Sequence, residues 1–528
     1  MTIRTLFVLS LLAGGVAANA NATSTVVVNS TDDTVADDGV CTLREALNAV
    51  NSQASGNGCT FSGSGSPTAV QFALPLISDV NVITVGSQLP ELNNPAIIDG
   101  LSQSGADCTA WPPALLVEVT STNGQFNGFT LNAGASGSTI RGLVINGFNN
   151  NQGYAFNFNA AINIYQGGSN HVECNLIGTD VNGTTAVPNL RAVDINSSSD
   201  NVIGSDGVAG PYVKRNLLSG NSYEQVDTRG NALSGNRISG NYIGTDVAGT
   251  VALAGGSSGV DISANPGPAS GNFVGWDGVG DPALMRNIIS GFGGTSGAIA
   301  MVVGAIGNQV AGNYIGTDVS GTFAIPNGIG IELGSNASVY HNIIGNDGTQ
   351  NVLSARNVIS GSGYYGVQIN GFNGTHDNAV IGNYFGLNAA GTASIPNGVA
   401  GLQMVTGNAN SLVARNWFAG QSTSIYMFGT GSGSTASFIN NSGGAIADLP
   451  ALDSSGNCML DPTGVQVYAQ GSSVPNPNLF AGNWWGVSTG PNTAGGASAD
   501  GSIEATPYLT APADICSDVI FRNGFESN

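Results

Sequence analysis

Gly259-Val260-Asp261-Ile262 is one copy of a four-residue segment that recurs along the chain: a small or polar residue, then an apolar, a variable and an apolar residue. Successive copies start 31 to 38 residues apart, except for one step of 23 and one of 40. The other copies start at Gly128, Ala161, Ala192, Gln225, Gly297, Gly330, Gly366, Gly401, Ser424 and Gly464. A period of this size is typical of chains in which each unit buries its apolar face only against its neighbours. The segment therefore predicts a parallel β-solenoid with one strand-bearing coil per copy.

The composition favours many short strands and tight turns in a single body. Of the 528 residues 79 are glycine, only 9% are charged, and 41% are hydrophobic, which is enough for a continuous core. We expect an all-β fold: a single right-handed parallel β-helix of about a dozen coils with a short N-terminal capping helix. The hand follows the usual preference of crossover connections between parallel strands.

Residues 1–22 have the three parts of a secretory signal peptide. Arg4 supplies the positive charge, an apolar run extends from Leu6 to Val16, and small residues around Ala20 form the cleavage site. The apolar run is too short to span a membrane. We therefore expect a secreted protein, extracellular or on the outer cell surface, with no direct membrane insertion.

Six cysteines in an exported chain predict disulfides, although six cysteines allow fifteen connectivities. Proximity in the sequence favours two pairings and leaves a third. The expected pairs are Cys41 with Cys59, Cys458 with Cys516, and Cys108 with Cys174.

The net charge of −21 argues against nucleic acids and anionic membranes as direct partners. It also repels polyuronates unless divalent cations bridge the two molecules. We expect a monomer whose partners are extracellular polysaccharides or host or cell-surface glycans.

The N-terminal segment 23–60 differs from the repeats. Thr42 and Glu45 have the spacing of a capping box, and apolar residues follow at helical spacing, which predicts a short amphipathic helix that covers the first coil. The segment Cys41-Thr-Leu-Arg-Glu-Ala46 resembles the CSLREA motif at the start of many secreted bacterial β-helix proteins, with Thr42 in place of the serine. That resemblance implies the fold and export, but no particular chemistry.

A longer period lies over the single coils, because Ile-Gly-Thr-Asp sequences recur at every second one. They end at Asp180, Asp246 and Asp318, with Asn388 in the equivalent position of a fourth copy. We interpret these sequences as turns in which the side chain binds its own backbone. Between them lie Arg-Asn-apolar-apolar-Ser-Gly sequences. Their asparagines, together with Asn416, are expected to stack in ladders along the coils: Asn216, Asn287 and Asn357.

The whole array, residues 61–480, resembles the right-handed parallel β-helix proteins of the pectate-lyase-like superfamily. Residues 481–528 resemble the closing coil of such helices, with Trp484 and Trp485 over the open end, followed by a tail similar to a sorting element of exported proteins.

Side chains alternate along a strand, so the third residue of each four-residue segment is expected to point outward. This outward series is Thr130, Asn163, Asp194, Asp227, Asp261, Ile299, Glu332, Gln368, Gln403, Tyr426 and Gln466. Three consecutive coils thus place Asp194, Asp227 and Asp261 in a column about 5 Å apart. Carboxylates this close raise one another's pKa or bind a cation, so calcium is the candidate cofactor. Glu224, Arg191 and Arg229 lie on the same strands or at their edges.

The same face carries the active site in enzymes of the superfamily that the array resembles. The Asn-Thr-Asp, Asp-Asp, Gly-His-Gly and Arg-Ile-Lys motifs of polygalacturonases are absent from these strands. Three interpretations therefore stand: catalysis by the aspartates with Glu224, Arg191 or Arg229, a polar ligand or calcium site on the aspartates, or a solvated acidic face.

For function, the missing motifs and the uniform repeats favour a non-catalytic surface protein, adhesin-like or glycan-binding. The alternative is a calcium-dependent polysaccharide lyase or glycoside hydrolase that acts at the acidic strand face.

Overall fold

The fold is a parallel β-helix, as the sequence predicts, in a computed structural model of the chain. The structure describes residues 24–428 except 76–79, 123, 150–158, 254, 335–337, 346–354, 372–373 and 406–410, and after them 457–459, 465–470, 478–479, 483, 488–489, 491–492, 498–499, 503–504 and 508–510. The expected signal peptide, the tail and Cys516 lie outside these residues.

Each regular coil contributes one strand to each of three sheets, numbered here in the order in which a coil reaches them. Sheet 1 contains the repeated segment. Its strands are Phe129–Leu131, Ala160–Tyr165, Arg191–Asn196, Val226–Arg229, Val260–Ile262, Gly297–Met301, Ile329–Leu333, Tyr365–Ile369, Ala400–Val405, Ile425–Phe428, Val465–Gln470 and Ser498–Ala499.

Sheet 2 begins three coils before sheet 1 and holds the first strand that the structure describes. Its strands are Ser24–Val28, Ser62–Gly63, Thr68–Phe72, Ala96–Asp99, Thr139–Arg141, His171–Glu173, Val202–Gly204, Arg237–Ser239, Phe273–Gly275, Gln309–Ala311, Ile343–Gly345, Ala379–Ile381 and Leu412–Ala414. Ser62–Gly63 pairs antiparallel with Ser24–Val28 at the edge of this sheet.

Sheet 3 completes the coil with strands that are mostly two residues long. They are Asn81–Thr84, Val117–Thr120, Val144–Asn146, Leu176–Ile177, Leu217–Leu218, Tyr242–Ile243, Ile288–Ile289, Tyr314–Ile315, Val358–Ile359, Tyr384–Phe385, Trp417–Phe418 and Cys458–Met459. Two short sheets complete the set: Leu233–Ser234, Ala269–Ser270, Ala305–Ile306, Val339–Tyr340 and Thr375–His376, and separately Asn478–Leu479 with Ile503–Glu504.

Inward side chains of all three sheets form one long core, because every coil faces the same axis. Val193, Ile203 and Leu218 from one coil are fully buried, and their counterparts in the other coils join the same apolar cluster. No coil has a sufficient core of its own, so the stack is stabilised mainly between neighbours.

The predicted capping helix spans Leu43–Ser52. The Thr42 side chain accepts a hydrogen bond from the Glu45 backbone N–H, and Glu45 accepts one from the backbone N–H of Thr42, so the capping box is present. Leu43, Leu47 and Val50 face the core and close the first coil. The other helical segments are short: Gly100–Ser102, Ala133–Ala135 and Pro282–Met285.

Asparagine ladders run along two corners of the helix, and the sequence predicted the one that contains Asn216, Asn287, Asn357 and Asn416. Each side-chain oxygen accepts from the backbone N–H of the ladder residue in the preceding coil, and each Nδ2 donates to a backbone carbonyl, to the next ladder residue, or to both. Between sheets 2 and 3 the ladder is Asn175, Asn216, Asn241, Asn287, Asn313, Asn357, Asn383, Asn416, Asn457 and Asn483. Between sheets 1 and 2 it is Asn170, Asn201, Asn236, Asn272, Asn308, Asn342 and Asn378.

The Ile-Gly-Thr-Asp sequences form turns, as expected. Asp180 Oδ1 accepts from the backbone N–H groups of Thr184 and Thr185, both at 2.9 Å. Asp246, Asp318 and Asn388 repeat this pattern in alternate coils. Gly183, three residues after Asp180, has φ +64, a conformation that residues with a Cβ atom rarely adopt. These carboxylates therefore stabilise loops.

Disulfides join Cys41 to Cys59 and Cys108 to Cys174, which are two of the expected pairs. Cys458 is also disulfide-bonded. Disulfides persist in oxidising compartments, which indicates an exported protein. Among the described residues, no helix has the length and apolar character needed to cross a membrane.

Candidate functional site

The central column of sheet 1 contains the three predicted aspartates in register. Asp194 pairs with Asp227 and Asp227 with Asp261 across adjacent strands, so their backbones are about 4.8 Å apart. Asn163 precedes them in register with Asp194, and Thr130 precedes Asn163. The expected column is therefore correct over these five coils.

Two expected members of the column are wrong. Ala300, and not Ile299, is in register with Asp261 and Glu332. Ile299 is fully buried in the core, because the strand Gly297–Met301 is offset by one residue and alternation turns every side chain to the other face. Tyr468, and not Gln466, is in register with Tyr426; this offset is two residues, so alternation leaves both positions on the same face.

Asp194 and Arg229 form an ion pair across adjacent strands. Arg229 Nε donates to Asp194 Oδ1 at 2.8 Å, and its NH2 group donates to Oδ2. The Asp194 side chain has no exposed surface. Burial raises the pKa of Asp194 above its usual value, and the guanidinium of Arg229 opposes that rise.

Arg191 links Glu224 to Asp227. Its Nε lies 2.8 Å from Glu224 Oε2 and 3.0 Å from Asp227 Oδ2, and its guanidinium carbon lies 5.5 Å from the centroid of the Tyr223 ring. Glu224 Oε1 accepts a hydrogen bond from Ser257 Oγ at 2.9 Å. Burial raises the pKa of Asp227 well above its usual value, with repulsion by Asp194 and Asp261 adding to the effect. All six residues predicted from the sequence therefore lie in one cluster.

Asp261 is the member of the column without a guanidinium partner. Its Oδ1 is buried and has no hydrogen-bond partner among the described residues. Burial raises the pKa of Asp261 to about 7, and the charge of Glu224 adds to the rise. This carboxyl group therefore exchanges its proton near neutral pH.

The interpretation of a solvated acidic face is wrong for Asp194 and Asp227. Asp194 is fully buried and Asp227 is 7% exposed. Arg229 covers Asp194 and Arg191 covers Asp227, each from a neighbouring strand, 35 and 36 residues away in the chain.

The arrangement does not fit calcium. Both oxygens of Asp194 accept from Arg229, and Asp227 Oδ2 faces Arg191, so the expected ligands are engaged by cations. Within the described part of the chain, no group of three or more His, Cys, Asp or Glu side chains is placed to hold a metal ion.

A polar groove of about 510 Å³ adjoins the column at its N-terminal end. Thr130 and Asn163 form its floor, and Thr130 Oγ1 and Asn163 Oδ1 are buried without a hydrogen-bond partner among the described residues. The Tyr165 side chain stands at the groove and is 38% exposed. The other lining residues are Glu91, Asn93, Asn132, Ala133, Gly134, Gln166 and Asn196.

The sequence analysis missed this groove. Alternation along Ala160–Tyr165 places Tyr165 on the same face as Asn163, so its outward position was available from the strand pattern. Glu91 and Asn93 lie on an irregular segment outside the repeat, and no sequence signal places them there.

Comparison of the fold gives distant similarities to alginate epimerases. A point variant of the periplasmic alginate epimerase AlgG matches with a TM-score of 0.39 and 12% identity over 96% of this chain and 99% of that chain. The A-module of the Azotobacter vinelandii mannuronan C-5 epimerase AlgE6 matches with a TM-score of 0.33 and 11% identity over 91% of this chain and 98% of that one. No family model and no curated protein matches the sequence.

Proposed function

We propose that the protein binds a polysaccharide outside the cytoplasm, along the outer face of sheet 1. The observation that carries this proposal is the pair of buried polar atoms, Thr130 Oγ1 and Asn163 Oδ1, that lack partners beside the groove. Buried polar groups in folded proteins are nearly always hydrogen-bonded, so a ligand that brings hydroxyl groups would complete them. A sugar ring carries several hydroxyl groups and can therefore bind both atoms at once.

The shape and lining of the groove support the same ligand class. Its volume lies within the roughly 300–1,000 Å³ typical of ligand sites. The exposed Tyr165 ring offers an apolar face with a polar tip, which suits the mixed surface of a sugar ring. The polar column of sheet 1 continues beyond the groove and offers further contacts to a longer polysaccharide. We do not propose an adhesive role, because no feature of the described residues supports one.

Binding is tested with immobilised neutral and acidic polysaccharides and the mature protein. We expect retention on at least one polymer, and we expect Tyr165→Ala and Asn163→Ala each to lower its affinity about tenfold. Tyr364→Ala is the matched control, because Tyr364 is 47% exposed but lies outside the groove. Failure of every polymer to retain the wild-type protein would overturn the proposal.

A second candidate function is acid–base catalysis on the bound chain, as a lyase or hydrolase. Asp261 favours it: a buried carboxyl group with a free oxygen and a pKa near 7 can give or take a proton at neutral pH. Glu224 is a second carboxylate in the cluster, and Arg191 is a cation able to stabilise developing negative charge.

Turnover is measured as new reducing ends and as ultraviolet absorbance of unsaturated products. If the site is catalytic, Asp261→Asn abolishes both signals while the protein is still retained on the polymer. Retention of the wild-type protein without any product would leave binding as the function and reject catalysis.

A further inference from the structure

Three arginines form a row on sheet 3, away from the site described above. We call Arg215, Arg286 and Arg356 the arginine row; each stands two residues before a sheet 3 strand, in alternate coils. Each guanidinium carbon lies over a tyrosine of the next coil. The distances to the ring centroids are 4.3 Å for Arg215 and Tyr242, 4.4 Å for Arg286 and Tyr314, and 3.9 Å for Arg356 and Tyr384.

Among the described basic side chains, Arg215 and Arg286 differ from most in having no carboxylate partner. Arg215 Nε donates to the Gly240 carbonyl at 3.0 Å, and Arg286 Nε donates to the Gly312 carbonyl at 3.3 Å. Neither makes an ion pair with a described residue, whereas six other basic side chains do: Arg44, Arg141, Arg191, Lys214, Arg229 and Arg237.

The electrostatic surroundings agree with this geometry. Burial lowers the pKa of Arg215, and only Tyr242 acts in the opposite direction. Burial also lowers the pKa of Arg191, but Asp227 and Glu224 raise it above its usual value. In a protein of net charge −21, Arg215 and Arg286 are thus two positive charges without a carboxylate partner among the described residues.

An accessible groove of about 180 Å³ lies beside Arg215. Lys214, Gly240 and Leu284 also line it, and Arg286 does not. Each tyrosine ring holds one guanidinium group close to its face, and the planar guanidinium suits recognition of planar carboxylates.

The spacing of the row limits what it can bind. Arg215 and Arg286 are separated by two strands of sheet 3, or about 10 Å along the helix axis. Two sugar residues of an extended chain span a similar distance. Nucleic acid fits less well, because its charges recur every 1.7 Å or so and the net charge of the protein repels such a dense polyanion.

We propose that Arg215 and Arg286 bind an acidic polysaccharide whose carboxylates recur on every second sugar. This site is independent of the polysaccharide groove on sheet 1, since the two lie on different sheets. Each carboxylate accepts hydrogen bonds from one guanidinium, and the alternate coils set the register of the polymer.

The test measures binding of hyaluronan oligosaccharides, which carry one carboxylate per disaccharide, to the wild-type protein and to Arg215→Gln, Arg286→Gln and the double variant. We expect each single variant to bind about tenfold more weakly, and the double variant to lose binding. Arg237→Gln is the matched control, because Arg237 also lies over an aromatic ring but pairs with Asp277. Binding of the same oligosaccharides after reduction of their carboxylates to alcohols is expected to vanish.

Wild-type affinity in the double variant would overturn the proposal, as would equal binding of the reduced oligosaccharides. Polygalacturonate, charged on every sugar, tests the spacing: if it binds as tightly as hyaluronan, the alternate-sugar register is wrong. Modification of arginines by a dicarbonyl reagent gives a readout without any substitution. We expect hyaluronan to protect Arg215 and Arg286, and unchanged labelling of both would contradict the proposal.

Discussion

At the scale of the residue, Asp261 differs from the other two aspartates of the column in its ion pairing. Asp194 and Asp227 face guanidinium groups, but the next residue of the column, Asp261, does not. Arg191 stands on the strand of Asp194 and pairs with Asp227, and Arg229 stands on the strand of Asp227 and pairs with Asp194. The strand of Asp261 carries no arginine. Asp261 therefore retains a buried carboxyl group that is costly to ionise.

The raised pKa of Asp261 makes stability depend on pH. The folded-state pKa of about 7 exceeds the ordinary value of 3.8, so the folded protein holds a proton that the unfolded chain has lost between these values. The free energy of unfolding therefore falls as pH rises from about 4 to 7. We expect Asp261→Asn to remove part of this fall, on the order of 1–2 kcal/mol.

Urea denaturation at pH 5 and pH 8 measures the effect, with Asp37→Asn on an exposed residue as the control for net charge. The same loss of stability in wild type and Asp261→Asn over this interval would show that another group carries the dependence.

The sequence was sufficient to bring the six site residues together, because strand alternation and a constant period fix both face and height. The sequence did not predict that Asp194 and Asp227 are buried. The arginines that cover them come from neighbouring coils, and the rotamers of these arginines depend on packing. The sequence also failed at Ile299, where apolar residues before and after the strand centre made two registers equally compatible with the pattern.

At the scale of the element, the asparagine ladders set the corners of every coil. Asn287 Nδ2 donates to the Ile238 carbonyl at 2.8 Å and to Asn313 Oδ1 at 2.9 Å, while its Oδ1 accepts from the backbone N–H of Asn241 at 2.9 Å. These groups belong to three successive coils and are inaccessible to water. The ladder thus satisfies backbone atoms that the tight corner leaves unpaired.

Asn287→Ala is expected to lower the free energy of unfolding by about 2–4 kcal/mol, because a buried N–H and a buried carbonyl both lose their partners. Asn231→Ala, at an exposed position, serves as the control and is expected to change stability by less than about 0.5 kcal/mol. Equal stability of Asn287→Ala and Asn231→Ala would mean that water replaces the ladder at no cost. Denaturant unfolding followed by circular dichroism decides between these outcomes.

The ladder residues Asn216, Asn287, Asn357 and Asn416 were recognisable from the sequence because they precede strands in the same local pattern. The second ladder, from Asn170 to Asn378, was missed. It stands at the other corner, where the neighbouring residues vary from coil to coil, so that only the folded register brings its members into line.

At the scale of the whole molecule, the repeating unit is a pair of coils. The asparagine ladder has one residue in every coil, but the Asp turns and the arginines of the row recur in every second coil. In such an array, stability is the sum of unit and interface contributions, so a complete pair can be removed without disturbing the others.

We expect deletion of residues 288–357, which joins two equivalent ladder positions, to give a folded and shorter protein. Deletion of the single coil 288–313 is the control. It would place Arg286 and Arg356 on adjacent coils, about 5 Å apart, and would remove Tyr314 from beneath Arg286. Cooperative thermal unfolding is expected for the first variant, with a markedly lower midpoint or aggregation for the second. Similar behaviour of the two would show that the single coil is the true unit.

The antiparallel strand Ser62–Gly63 at the edge of sheet 2 has a consequence for self-association. Open edges of β-solenoids invite strands from other molecules, and repetition of that contact produces fibrils. At this end the outermost strand runs in the wrong direction and is only two residues long, while helix Leu43–Ser52 covers the core beside it. A second molecule therefore has no template at this end on which to continue the winding, and end-to-end assembly is blocked there even at high protein concentration.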